Sequence, residues 1–165
     1  MPLRAALFPV AAALTWVVWT LRRRPGPYPH LVDALVTVTT VVDFGGNAAR
    51  MYEVEGFDHA VHFVNTLLLA LALGLAIAGA GLPRLAAAGL TLGLATTLHV
   101  VWEIAEFHLD RLYDAALDVT APTTIRDFMA ALAGAAIAAA LVGWRLHDRD
   151  DLGGRLAAPA RRRDR

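Results

Sequence analysis

Five long apolar stretches dominate this chain, and its charged residues are gathered in the short links between them. A stretch of about 20 apolar residues can cross a bilayer as one α-helix, and lipid accepts only helices or closed barrels. Of the 165 residues, 57% are hydrophobic and 18% are charged, less than the quarter or so typical of soluble domains. The sequence therefore predicts an all-α integral membrane bundle of five transmembrane helices, with spans at about 3–21, 28–48, 58–80, 85–107 and 123–146.

The arginines predict the orientation of these spans. All 15 basic residues are arginine, and the run at 22–24 follows the first apolar stretch, whereas a cleaved signal peptide carries its charge ahead of that stretch. With the N-terminus outside and the C-terminus cytoplasmic, the arginines left outside are Arg4, Arg50, Arg111 and Arg126. The positive-inside rule favours this arrangement and fits four spans poorly. We expect one domain over 1–146 and a disordered, Arg-rich cytoplasmic tail over 147–165.

The fourth span ends in the polar segment LHVVWEIAEFHLD, residues 98–110. Its His99, Glu103, Glu106 and Asp110 are spaced at i, i+4, i+7 and i+11, which places them on one face of a helix. His108 points elsewhere. The stripe lies in the outer half of the span and at its outer end.

Other spans bring polar side chains to the same side of the membrane. Asp58, His62 and Asn65 open the third span at i, i+4 and i+7, whereas His59 lies about 100° from Asp58 and is not expected to join them. The second span ends, and the fifth begins, with polar residues at the same level: Asp43, Asn47, Arg50 and Asp127. A charge within the hydrocarbon costs at least about 2.5 kcal/mol and usually faces the bundle interior. We therefore expect a polar pocket that opens to the outside.

The residue types of this pocket suit a divalent metal ion. The chain has no cysteine, so a metal would need histidine and carboxylate ligands. Asp58, His62, His99 and Glu103 would suit zinc or manganese between antiparallel helices. The same side chains could instead form interhelical hydrogen bonds and ion pairs, or a proton or ion relay. The spacing H-x-x-x-E is not the zincin motif H-E-x-x-H, and all three interpretations stay open here.

A catalytic version of this pocket would use further residues. Glu103, Glu106 and Asp127 are the candidate catalytic residues, with Glu106 or Asp127 as general base. Arg126, Arg50 and Asn65 are candidates for binding an anionic, lipid-linked envelope ligand at the outer leaflet. The alternative, which the cost of unpaired buried charge favours, is that the two arginines neutralise Asp127 and Asp43. No motif for nucleic-acid binding is found.

Three short motifs carry a family resemblance. They are D-x-x-x-H-F at Asp58–Phe63, W-E-I-x-E-F at Trp102–Phe107, and TTIRDFMAALAGA at Thr123–Ala135. Together they resemble the VanZ-like group of small bacterial membrane proteins, and more closely its YjdF-like branch. The resemblance implies a five-span fold in the bacterial cytoplasmic membrane and assigns no activity. The pocket thus predicts a metal-binding or ligand-binding envelope protein, with or without catalysis; the alternatives are a small proton- or ion-coupled transporter and a non-catalytic structural bundle.

Overall fold

Helices make up every regular element of the described chain. The computed structural model describes residues 13, 15–21, 27–78, 80–113 and 120–157. Residues 15–21 are helical and are called α1, and residue 13 is helical too; residues 3–12 and 14 of the predicted first span lie outside the described residues. The later elements are α2 His30–Ala48, a short 3-10 turn at Met51–Glu53, α3 Phe57–Ala78, α4 Arg84–Tyr113 and α5 Ala121–Ala157.

Four of these helices are long and apolar enough to cross a membrane. The qualifying segments are His30–Ala48, Phe57–Ala78, Arg84–Leu109 and Ala121–Arg145. They match the second to fifth predicted spans, so the all-helical class is confirmed. One boundary differs: α5 continues to Ala157, where a tail without structure was expected from residue 147. Residues 158–165 lie outside the described residues.

Local residue choices explain where the helices begin. Gly56 and Gly81 adopt φ angles of +80° and +74°, a left-handed conformation that favours glycine, in the links that precede α3 and α4. At the start of α5, the backbone N–H of Thr120 donates to Thr123 Oγ1 at 3.0 Å, and Thr123 N–H donates back to Thr120 Oγ1 at 3.4 Å. This reciprocal pair satisfies donors that the first turn of a helix leaves free.

α3 lies at the centre of the bundle and packs against α2, α4 and α5. The core is built from small residues, with Ala70, Ala135 and Ala138 fully buried. At Gly134, an added Cβ atom would lie 2.5 Å from the Phe63 carbonyl oxygen, so α5 approaches the backbone of α3 as closely as only glycine permits. Small residues at the interface are typical of helices that associate in lipid.

Large apolar side chains cover the outside of the bundle. Leu98, Ile125 and Met129 are 61%, 59% and 67% exposed. Small residues inside and large apolar residues outside suit a lipid environment, because lipid solvates the outer side chains. The antiparallel arrangement also places the start of α3, the end of α4 and the start of α5 at one end of the bundle, which is where the polar residues gather.

Candidate metal centre

The imidazole ring of His62 is the centre of a buried polar cluster. It comes from the second turn of α3 and is 8% exposed. On one side, His62 Nδ1 lies 3.5 Å from Glu103 Oε1 of α4. On the other side, His62 Nε2 lies 3.5 Å from Asp58 Oδ1 and 4.0 Å from Asp127 Oδ1 of α5. Three helices thus direct carboxylates toward one histidine.

A single oxygen of Glu103 lies between two histidine rings. Glu103 Oε1 is 3.2 Å from His99 Nε2, one turn earlier on α4, as well as 3.5 Å from His62 Nδ1. The two rings meet edge to face with centroids 5.2 Å apart, and His99 makes a similar contact with Phe128 of α5 at 5.5 Å. Glu103 and His99 are both buried. Packing therefore holds both rings next to the carboxylate.

Two of these buried atoms lack a hydrogen-bond partner. Among the described residues, neither Glu103 Oε1 nor His99 Nε2 makes a hydrogen bond of acceptable geometry, although both are shielded from solvent. Buried polar atoms are usually satisfied, and leaving one unsatisfied costs about 1–3 kcal/mol. A partner that satisfied both atoms together would remove this cost.

The donor atoms form two groups that could hold a metal ion. One group is His62, His99 and Glu103, all buried; the other is Asp58, His62 and Asp127, and within each group the ligand atoms lie within 4.8 Å of one another. Ligand atoms around a tetrahedral zinc ion lie about 3.3 Å apart, since zinc bonds to nitrogen and oxygen are about 2.0–2.2 Å long. The 3.2 and 3.5 Å separations around Glu103 Oε1 are close to that spacing.

His59 enters the cluster, contrary to the prediction. Its Nδ1 lies 2.5 Å from Asp127 Oδ1, with the ring N–H donating to the carboxylate. The prediction was wrong because the angle between His59 and Asp58 around the axis of α3 does not show which face of α3 packs against α5. The start of α5 packs so that Asp127 reaches both His59 and His62. No pattern in the sequence identifies that pairing.

The remaining candidate residues lie at the edge of the cluster or apart from it. Arg50 is exposed, and its Nη2 lies 2.7 Å from Glu53 Oε1, so this arginine pairs with Glu53 and not with Asp43. Arg126 is exposed, and its neighbour Asp127 has His59 as its closest ion-pair partner. The Oδ1 atom of Asn65 is buried without a hydrogen bond among the described residues.

The predicted polar face of α4 has some residues inside the cluster and others at its edge. The same end of the bundle also contains Asp43, near the end of α2. Glu106 is half-buried on the same helix as His99 and Glu103. The side chain of Asp110 lies outside the described residues. Asp43 accepts a hydrogen bond from the Tyr52 hydroxyl group. The predicted stripe therefore contributes His99 and Glu103 directly to the cluster.

A groove between α4 and α5 reaches the cluster from the side. It has a volume of about 350 Å³ and is lined by Glu103, Ile104, Phe107, His108, Thr124 and Phe128. Most of the lining is apolar, and Glu103 is its link to the buried histidines. His108, which faces away from the acidic stripe, is exposed and lines this groove.

Four helices of membrane-spanning length, small residues inside and large apolar residues outside define this chain as a helical membrane protein. It belongs to the DUF2238 family, described as predicted membrane proteins, whose family model matches residues 3–149. This membership is consistent with the YjdF-like resemblance. Neither a curated protein nor a solved structure gives a significant match to the chain.

Proposed function

We propose that this protein is a divalent-metal-binding protein of the bacterial cytoplasmic membrane, within the YjdF-like branch. It crosses the membrane five times, with its N-terminus outside and its Arg-rich tail, residues 147–165, in the cytoplasm. The distribution of arginines supports this orientation. The metal ion, zinc or manganese, binds in the cluster around His62 at the outer end of the bundle.

One observation carries the proposal of a metal ion. Glu103 Oε1 and His99 Nε2 are buried, lie 3.2 Å apart, and make no hydrogen bond among the described residues. A network that served only to hold the helices together would be expected to satisfy its buried atoms. A cation placed between the carboxylate and the two imidazoles would satisfy them together, and mixed histidine and carboxylate ligands suit zinc or manganese.

The inner half of the bundle gives little support to a transporter. A carrier needs a polar path on both sides of its site. Toward the other end of α3 and α4, the buried polar residues include Thr66 and Thr91, and the Thr91 hydroxyl donates to the Ala87 carbonyl oxygen of its own helix at 2.8 Å. We therefore favour a site that is reached from one side.

The groove beside Glu103 favours a catalytic use of the ion. Three protein ligands would leave a zinc ion with an open coordination position, as in catalytic zinc sites. The groove lined by Glu103 would give an apolar ligand access to this side of the cluster. In this extension, Glu106 is the general base and Arg126 binds the phosphate of a lipid-linked envelope ligand. Release of phosphate from a polyprenyl diphosphate in detergent, lost in Glu106→Gln, would support this extension; no release by the metal-loaded wild type would contradict it.

Metal analysis of the purified protein in detergent tests the binding proposal. We expect one ion per chain in the wild type, less than a tenth of that in Glu103→Gln and His62→Ala, and an unchanged content in His30→Ala. His30 is an exposed histidine of α2 and serves as the matched control. A wild-type protein that binds neither zinc nor manganese after dialysis against either ion would overturn the proposal.

A further inference from the structure

His62 is the one residue shared by the two groups of possible metal ligands, and it faces them with different ring atoms. Its Nδ1 faces Glu103, beside His99. Its Nε2 faces Asp58 and Asp127. An imidazole that coordinates a metal ion through one ring nitrogen can donate a hydrogen bond from its other ring nitrogen. The ion therefore has to be assigned to one side of the ring.

The two sides of the ring differ in how well their atoms are already satisfied. On the Nδ1 side, Glu103 Oε1 and His99 Nε2 are buried and have no hydrogen bond among the described residues. On the Nε2 side, Asp127 Oδ1 already accepts a hydrogen bond from His59 at 2.5 Å, and the side chain of Asp58 is 42% exposed. The unsatisfied atoms thus lie on the Nδ1 side.

We infer, on the basis of the proposed function, that the ion is held by His62 Nδ1, His99 Nε2 and Glu103, and that the pair His59 and Asp127 positions His62 without touching the ion. Histidine ligands of metals usually donate their second ring N–H to a carboxylate, which fixes the tautomer and the orientation of the ring. Two carboxylate oxygens face Nε2 of His62: Asp58 Oδ1 at 3.5 Å, the closer acceptor, and Asp127 Oδ1 at 4.0 Å, which adds its negative charge beside it. His59 in turn holds Asp127.

This arrangement links three helices through one ring. Asp127 comes from α5, His62 and His59 from α3, and the other ligands from α4. When the hydrogen atom of the His62 ring is held on Nε2, the lone pair of Nδ1 is directed at Glu103 and His99. Losing such an outer partner typically lowers metal affinity by about 10- to 100-fold and leaves the set of ligands intact. His59 is therefore a positioning residue that the pattern of the sequence left out.

Zinc affinity measured by competition with a chromophoric chelator tests this inference on the full chain in detergent. We expect Asp127→Asn and His59→Ala to bind zinc about 10- to 100-fold more weakly than the wild type, and still to bind one ion per chain at saturation. His59→Asn keeps an N–H near the position of Nδ1 and is expected to bind more tightly than His59→Ala. The absorption bands of the cobalt-substituted variants should match those of the wild type.

The outcomes separate this inference from the proposed function. Unchanged affinity in both Asp127→Asn and His59→Ala, with a stoichiometric ion in the wild type, would overturn the positioning role and leave the metal site standing. Loss of the ion at saturation in Asp127→Asn, or altered cobalt bands, would make Asp127 a ligand and move the ion to the Nε2 side. A wild type without any ion would overturn the proposed function itself. Equal melting temperatures of the metal-free proteins show that the affinity change is not a folding defect.

Discussion

Glu103 of α4 meets His62 of α3 across the helix interface, with its Oε1 atom 3.5 Å from Nδ1 of the ring. The same oxygen lies 3.2 Å from His99 on its own helix. An ion bound by these three side chains would connect α3 to α4 at the end of the bundle where α3 begins. Metal binding and helix packing should therefore be coupled, and the first prediction uses this coupling.

We predict that a chelator lowers the melting temperature of the wild-type protein and does not affect Glu103→Gln. A ligand that binds only the folded state stabilises it by about 2.7 kcal/mol at a concentration 100 times its Kd. Glu103→Gln removes the charge of the shared ligand and so removes the difference between metal-loaded and metal-free protein. Thermal unfolding in detergent, with and without chelator, measures this difference in melting temperature. A His30→Ala control should respond as the wild type does; an equal response in Glu103→Gln would contradict the prediction.

We predict that Gly134→Ala destabilises the packing of α3 against α5. The added Cβ atom would lie 2.5 Å from the Phe63 carbonyl oxygen and 3.0 Å from the Leu67 nitrogen, and backbone atoms cannot move away cheaply. Overpacking of this kind typically costs about 1–3 kcal/mol. Gly93→Ala on α4 is the matched control, because nothing lies within 4 Å of its Cβ position. Thermal unfolding of both variants compares them, and equal melting temperatures would argue against the close approach.

We predict that Thr120→Ala weakens the first turn of α5 and, with it, metal binding. Loss of an N-terminal cap typically costs about 0.5–2 kcal/mol. Asp127 lies in the second turn of α5, so a frayed helix start would loosen its hold on His59 and His62. Zinc affinity and the melting temperature should both fall. Thr97→Ala, which removes an exposed hydroxyl bonded to the Gly93 carbonyl of its own helix, should leave both unchanged.

We predict the sides of the membrane on which two links lie. The chain has no cysteine, so a single introduced cysteine can be labelled without background. Glu55→Cys, between α2 and α3, should react with a membrane-impermeant maleimide added to intact cells, because the proposed orientation places this end of the bundle outside. Leu82→Cys, between α3 and α4, should react only after the membrane is opened. Both positions are exposed in the structure. The reverse pattern would invert the proposed orientation.

Most of the helical organisation could be predicted because hydrophobicity is a local property of the chain. The second to fifth predicted spans correspond to the four helices of membrane-spanning length. The i, i+4 spacing of Asp58 with His62 and of His99 with Glu103 was enough to place each pair on one face, since helix geometry alone decides that. In the structure these pairs meet at 3.5 and 3.2 Å.

The partners of Arg50 could not be predicted from spacing. One expectation was that Arg50 neutralises Asp43, but the backbone of Arg50 turns to a left-handed φ of 58° two residues after α2 ends. The side chain then leaves the face of α2 and meets Glu53 in the following turn. An angle measured along an ideal helix does not apply beyond the last residue of that helix.

By itself, the sequence determined the apolar helices, the direction in which successive helices run, and the end of the bundle at which histidines and carboxylates gather. These properties follow from residue order, because polar groups in lipid are costly and helices have a fixed period. Only the tertiary structure decided that Asp127 pairs with His59, that Glu103 contacts both histidines, and that Gly134 lies against α3. These contacts depend on the rotation and separation of neighbouring helices, which small core residues such as Ala70 and Ala135 set through close packing.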